Sequence, residues 1–321
     1  MNILINDGIS QSGENALKEA GFVLFQDKVE QDHLIDFMNE NQIDVILVRS
    51  ATKVRKDLID AVPSLKLIGR GGVGLDNIDV DYAKEKGIYV INTPGASSIS
   101  VAELVFAHLF GMARGLHDSN RNMPLEGDTK FNDLKKSYAK SVELKGKVLG
   151  VIGLGRIGRE VASIGIGLGM HVMGVDRSDT DGIKTIRFKL FNGEEVPYKI
   201  EVKSIEEVLK LADFVTLHIP SQSDYIIGKE QLDSMKDGAF LVNASRGGVV
   251  DEKALVDALE SGKLTAAALD VFENEPKPEI QLLMNPKLSL SPHIGGSTVE
   301  AQERIGTELA EQICELLKVE V

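Results

Sequence analysis

Residues 148–160, VLGVIGLGRIGRE, restrict what this chain can fold into more than any other stretch. The apolar run Val148, Leu149, Val151 and Ile152 predicts a buried parallel strand. Gly153, Gly155 and Gly158 then fall at G-x-G-x-x-G spacing, where that strand must give way to a helix. Each glycine meets a separate demand, since Gly153 permits the tight turn, Gly155 lets backbone approach a pyrophosphate, and Gly158 lets the helix press on the sheet. Arg156 and Ile157 open the helix, whose N-terminal N–H groups favour phosphate charge, so the diphosphate needs no cationic side chain.

A second apolar run, residues 171–175, ends at Asp176, about 20 residues past the glycines, where an acidic residue takes the adenosine ribose hydroxyls. A carboxylate there repels a 2′-phosphate and favours NAD over NADP. The adjacent Arg177 offers a guanidinium that can accommodate a phosphate, and leaves that choice open.

At 321 residues the chain exceeds the usual size of one domain, and a hydrophobic fraction of 43% is ample for two cores. A formal charge of −13 argues against nucleic acid or an anionic membrane as partner. The one cysteine excludes an internal disulfide and a multi-cysteine metal site, and no metal is expected. Cys314 falls in an amphipathic C-terminal pattern, residues 298–317, expected to be a helix packing on the N-terminal domain. MNILIND lacks the basic-then-apolar pattern of a signal peptide, so a cytoplasmic protein is expected.

Before the glycine motif, short apolar strands (NILIND, FVLF, VILVRS, KLIGRGG, IYVINTP) alternate with helical segments, the rhythm of a parallel sheet covered on both faces. RGGVGLDNID interrupts it with glycines. A long helical pattern at residues 101–120 and a polar basic loop with Lys130, Lys135, Lys136 and Lys140 follow. Past Asp176, residues 188–203 read as an inserted hairpin or long loop, and the rhythm then resumes at DFVTLHIP, AFLVNAS, AAALDVF and LSLSPHI.

Those last strands end at His218, Ile219 and Pro220, at Ala244, Ser245 and Arg246, at Asp270, and at His293. Ligands of open α/β sheets bind outside the carboxyl ends of the strands, so these residues are expected to converge on the cofactor crevice. Oxidation of a secondary alcohol needs a base for the hydroxyl proton, and His293 suits that role. A carboxylate on the other imidazole nitrogen, here Glu275, fixes the ring and favours its charged form. Arg246 presents a planar fork matched to a carboxylate and to the oxygen of the reacting carbonyl. Singly, the histidine reads equally as a helix-start residue, the arginine as a surface turn, and the glutamate as a solvated loop charge. Asp270 reads either as a nicotinamide-amide contact or as a strand-ending turn residue. Their shared placement points to a 2-hydroxy or 2-oxo acid site. His33, His108, His117 and His171 lack such placement and are expected to be surface or packing residues.

From Leu47 to Thr298 the chain resembles the D-2-hydroxyacid dehydrogenase family, and within it the phosphoglycerate-oxidising branch, in a short form without a C-terminal regulatory domain. VRSATKV, GRGGVGLDNID, INTPGASSISVAEL, LGVIGLGRIGREVA, LHIP, LVNASRGGVVDE, ALDVFENEP and SPHIGGST carry the resemblance, in the family's order. It implies an α/β fold of two doubly wound parallel-sheet domains. A Rossmann cofactor domain (residues 99–293) is inserted into a flavodoxin-like substrate domain (residues 1–98 plus 294–321). It also implies Arg246, Glu275 and His293 as the catalytic set, NAD as cofactor, and a homodimer formed through the helix after SVAEL. Oxidation of 3-phospho-D-glycerate to 3-phosphooxypyruvate, the first step of serine biosynthesis, is the implied reaction. A glyoxylate or hydroxypyruvate reductase and an NAD-sensing binding protein are the alternatives.

Similarity of VRSATKV to the phosphoglycerate enzymes places Arg49, and with it Lys53, at the substrate. GRGGVG adds Arg70 and the N–H groups of Gly72, Val73 and Gly74. Consecutive N–H groups form an anion nest suited to the substrate carboxylate, which leaves Arg49 and Arg70 for the phosphate, with Arg246 and His293 at the reacting carbon. Ser97 stands where the family carries asparagine.

Overall fold

The structure, a computed structural model, describes residues 1–177, 182–190 and 192–317. The chain divides into two compact units, Met1–Ser100 together with the segment that starts at Gly296, and Val101–Gly295.

Five short apolar runs build the sheet of the first unit: β1 (Asn2–Ile5), β2 (Val23–Phe25), β3 (Val45–Val48), β4 (Leu67–Arg70) and β5 (Tyr89–Asn92). All pair in parallel in the order β2-β1-β3-β4-β5, the flavodoxin-like arrangement. β3 reads VILV and is buried throughout, as a parallel strand covered on both faces must be. Helices α1 (Gln11–Glu19), α2 (Leu34–Glu40), α3 (Lys56–Ala61) and α4 (Val80–Glu85) supply the cover. The six-residue α4 spans too little chain to show a helical period in the sequence.

In the second unit the long helical pattern is divided. α5 (Ser98–Ala113) stops where Gly115 takes a left-handed φ of 60°, and α6 (Leu116–Glu126) starts from that glycine. The expected basic loop is largely helical as well, with α7 (Phe131–Ser137) running into a single 3-10 turn. Tyr138 ties this segment to α6 by donating to Asp118 (2.8 Å) and accepting from Asn122 (3.0 Å), bonds that no apolar period announces.

The strands of this unit are β6 (Val148–Ile152), β7 (His171–Val175), β8 (Gly182–Lys189), β9 (Glu195–Val202), β10 (Phe214–Leu217), β11 (Ala239–Asn243), β12 (Leu264–Leu269) and β13 (Leu288–Leu290). Between them lie α8 (Arg156–Gly167), α9 (Ile205–Leu211), α10 (Lys229–Ser234), α11 (Glu252–Glu260) and α12 (Ile280–Leu283). The strand order is β13-β12-β11-β10-β6-β7-β9-β8, parallel except for β8 on β9. From β9 to β12 this is the doubly wound Rossmann order, and it reverses between β6 and β10. Phe214 and Phe240 stack across the starts of β10 and β11 with ring centroids 4.7 Å apart.

The insertion begins earlier than residue 188. It is an antiparallel hairpin of β8 and β9 in which Ile186, Ile200 and Val202 are buried on one face while Ile183 is exposed on the other, the alternation of a half-buried strand pair. Residue 191 and the side chains of Phe188 and Lys189 lie outside the described residues.

The last element among the described residues is α13 (Val299–Leu316), part of the first unit. Thr298 caps it by accepting from the Ala301 N–H, and Ile305, Leu309, Ile313 and Cys314 form its buried stripe. It crosses α1 closely, because a Cβ on Gly13 would lie 2.6 Å from the Gly306 backbone. Among the described residues no single helix is long and apolar enough to cross a membrane.

Candidate active site

The turn from β6 into α8 is sterically constrained. Gly153 has a φ of 100°, and a Cβ there would strike the His218 carbonyl; a Cβ on Gly158 would strike the Gly153 carbonyl. The Cβ position of Gly155, by contrast, opens on free space. α8 starts at Gly155 without a side-chain cap, so its first N–H groups face that space. A diphosphate fits this arrangement of open backbone and bare helix start.

Asp176 follows the last residue of β7, and Lys184 from β8 forms an ion pair with it. The lysine was not legible as a partner, because the hairpin that delivers it gave no sign of its register.

His218 to Pro220 follow β10, Ala244 and Ser245 follow β11, and Asp270 follows β12, all at the carboxyl edge of one sheet. His218 turns its imidazole back into the protein. Nε2 lies 2.9 Å from the Thr216 hydroxyl and Nδ1 is enclosed, although the residue as a whole is only half-buried. Burial pushes this imidazole down to about 3, so the ring is neutral. The residue therefore meets the glycine turn through its backbone and not, as the strand-end pattern suggested, through its side chain.

Arg246 is held by the turn after β11. Asn243 accepts from the Ser245 N–H (3.1 Å) and hydroxyl (2.8 Å) and donates to the Arg246 carbonyl (2.9 Å). Arg246 Nη1 also donates to the Ser245 carbonyl at 2.7 Å. Glu275 and His293 meet directly, with Glu275 Oε2 2.8 Å from His293 Nδ1. The other carboxylate oxygen accepts the Phe272 N–H at 3.0 Å. Partial burial works against the charge on Glu275, but bonds from His293 and Phe272, and the charge of His293 and Arg246, hold its carboxyl below the usual range. An ionised Glu275 can only accept, so the hydrogen of this bond sits on His293 Nδ1, which leaves Nε2 as the ring nitrogen that can act as a base. A cavity of about 380 Å³, lined by Phe272, Pro276, Leu283 and Leu290, flanks this pair.

His108 was expected to be a surface or packing residue. It is a buried hydrogen-bonding residue, with Nδ1 2.9 Å from Ser289 Oγ and Nε2 3.0 Å from Ser291 Oγ. Ser291 in turn donates to Asp270 at 2.6 Å. These partners lie some 180 positions away, beyond the reach of a sequence pattern.

The remaining expected residues belong to the first unit. Arg49 follows β3, its N–H donating to Asp7 at 2.7 Å and its carbonyl accepting from Asn77 at 2.7 Å. Lys53 exchanges two backbone bonds with the Gln31 side chain. Arg70 ends β4 and folds its guanidinium over Gly72, where a Cβ would collide with Nη1. The Gly72 N–H is spent on Thr93 Oγ1 (2.9 Å), so Gly72 drops out of the expected anion nest and leaves Val73 and Gly74. The φ of 137° at Gly72 explains the glycine without any ligand.

A parallel sheet of Rossmann order with this glycine turn and a histidine–carboxylate pair at its carboxyl edge defines a dinucleotide-linked dehydrogenase class. Residues 106–295 match the NAD binding domain of the D-isomer specific 2-hydroxyacid dehydrogenases, and the chain belongs to that family. It is 41% identical to the D-3-phosphoglycerate dehydrogenase of Methanocaldococcus jannaschii, over 100% of this chain and 58% of that protein. It is 40% identical to the hydroxypyruvate reductase of Thermotoga maritima, over 96% of each. A glyoxylate reductase from Paecilomyes thermophila superposes with a TM-score of 0.82 at 30% identity, covering 99% of this chain and 95% of that one. The chain thus spans a little over half the length of the phosphoglycerate relative.

Proposed function

We propose that this chain is an NAD-dependent D-2-hydroxyacid dehydrogenase that oxidises 3-phospho-D-glycerate. The contact between His293 Nδ1 and Glu275 at 2.8 Å carries the reading, because it fixes which imidazole nitrogen is free to take a proton. When bound, NAD supplies the acceptor for the hydride from C2. His293 Nε2 removes the hydroxyl proton, and Glu275 stabilises the imidazolium that results. Arg246 holds the substrate carboxylate and stabilises charge on the forming carbonyl oxygen. Gly153, Gly155, Arg156, Ile157 and Gly158 hold the diphosphate, Asp176 the adenosine ribose, and residues 218–220, 244, 245 and 270 the rest of the dinucleotide. Arg49 and Arg70 take the distal phosphate, while the N–H groups of Val73 and Gly74 take the carboxylate.

The 41% identity to a phosphoglycerate dehydrogenase supports this substrate. One observation favours a second reading, a hydroxypyruvate or glyoxylate reductase: the 40% identity to a hydroxypyruvate reductase over 96% of each chain. NADH oxidation with 3-phosphooxypyruvate, hydroxypyruvate and glyoxylate side by side separates them. The phosphate reading requires kcat/KM at least tenfold higher for the phosphorylated acid, and parity or reversal leaves the reductase. We infer a homodimer formed through the region of α5, checked by sedimentation.

A further inference from the structure

We propose that His108 is a positioning residue for His293, acting through Ser291 and Asp270 on the backbone turn that carries the catalytic imidazole. The inference rests on the dehydrogenase reading of His293. Its basis is a hydrogen-bonded chain inside the second unit, from α5 through the end of β13 to the loop after it.

Proton bookkeeping gives this chain a direction. Ser291 Oγ donates its one proton to Asp270 Oδ1, so towards His108 it must accept, and the proton between them belongs to His108 Nε2. A neutral imidazole then has only a lone pair at Nδ1, and the Ser289 hydroxyl must donate to it. The sequence Ser289 to His108 to Ser291 to Asp270 satisfies every proton in it, provided that His108 is neutral. Burial lowers the pKa of His108, Asp270 opposes that effect, and His117 on α6 adds to it.

Asp270 spends its two oxygens on the catalytic loop. Oδ1 accepts the Ile294 N–H and Oδ2 the Gly295 N–H, both at 2.8 Å. These are the two residues after His293, whose own N–H donates to the Ser291 carbonyl at 3.1 Å. His293 stands at a φ of 55°, left-handed backbone that an L-residue with a side chain adopts at a cost of about 1–2 kcal/mol. Such a conformation persists where its surroundings over-determine it, and the bonds to Ser291 and Asp270 are those surroundings. Asp270 is 2% exposed, so no solvent replaces a lost donor, and the Ser291 hydroxyl is held on it by His108 from behind. An aliphatic side chain at position 108 would free that hydroxyl to rotate away from the carboxylate.

The test combines backbone exchange with turnover. In His108→Leu, amide hydrogen exchange at Ile294 and Gly295 is expected to quicken at least tenfold, with exchange along β10 unchanged. kcat falls about tenfold, with KM for the hydroxy acid within twofold. His108→Gln, whose amide can donate to Ser291 and accept from Ser289, brings both readouts back to within threefold. Ser291→Ala reproduces the leucine variant, and the double substitution is no worse than Ser291→Ala alone. If His108→Leu does not fold, the comparison of His108→Gln with Ser291→Ala decides. Native exchange at Ile294 and Gly295 in folded His108→Leu or in Ser291→Ala, or additive losses in the double variant, would overturn the proposal. Wild-type protein without turnover on any 2-hydroxy acid would overturn the dehydrogenase reading instead, and the exchange measurement would still judge the clamp.

Discussion

Lys184, on the first strand of the hairpin, pairs with Asp176 at the end of β7, and both side chains are largely enclosed, at 15% and 17% exposure. Asp176 stands where the second strand of a dinucleotide unit presents its acidic residue to the adenosine ribose. An ammonium on that carboxylate offsets the repulsion that the carboxylate alone would exert on a 2′-phosphate.

Removing the ammonium should therefore sharpen the preference for NAD. In Lys184→Ala the ratio of the dissociation constants for NADP and NAD, measured by calorimetry, should rise about tenfold, equivalent to ~1.4 kcal/mol. An unchanged ratio would show that the pair only anchors the hairpin.

The dyad divides its work between base and orienter. His293→Ala should lower kcat by about 10²–10⁴-fold, the usual worth of a positioned proton acceptor. NAD affinity should stay within about threefold, since the glycine turn and Asp176 are untouched. Glu275→Gln keeps a hydrogen-bond acceptor at Nδ1 but not the charge, so a smaller fall in kcat is expected. Unaltered turnover in His293→Ala would end the acid–base assignment.

How much of this was legible in the sequence follows from the range of the forces involved. Apart from the β8–β9 hairpin, the strands of both sheets announced themselves because a parallel strand buried on both faces is a nearly continuous apolar run, as VILV and AFLVN show. The glycine turn was legible because each glycine answers a local steric demand. The break at Gly115 and the helix at residues 131–137 were missed, since one depends on a single left-handed residue and the other on contacts of Tyr138. Glu275, His293 and Arg246 stood out through their strand-end placement, but His108 did not. It lies within an apolar helix, and only the fold brings Ser289 and Ser291 to its two nitrogens.

The crossing of α1 and α13 depends on two glycines. A Cβ on Gly306 would collide with the Ser10 hydroxyl, the same group that caps α1 by accepting from the Gly13 N–H. Gly306→Val should therefore separate the helices and uncap α1 together, lowering the stability of the first unit by about 2–4 kcal/mol in urea unfolding. A loss below about 0.5 kcal/mol would mean that the helices part at no cost.

Two neutral histidines give the second unit its own acid sensitivity. Burial pushes His218 to about 3 from an ordinary 6.5 and lowers His108 as well. Between those limits the unfolded chain binds the proton and the folded chain does not. The stabilisation is thus complete above pH 6.5 and is lost as pH falls below it, at up to about 1.4 kcal/mol per pH unit for each histidine. Carboxylates act lower on the scale. Although burial opposes it, Asp7 and Asp213 are held below 3.8 by hydrogen bonds from Lys28 and Lys236, so their contribution survives until the pH drops below that value. Between about pH 7.5 and 4.5 the histidines act against Glu252, whose carboxyl burial raises above its ordinary 4.5 and whose protonation relieves the folded state as pH falls, so comparison with a histidine variant isolates their share. The wild type should lose Tm steadily below about pH 6.5, while His218→Asn, which cannot titrate, should show a flatter curve. Parallel curves for the two proteins would mean that His218 does not resist protonation in the folded state.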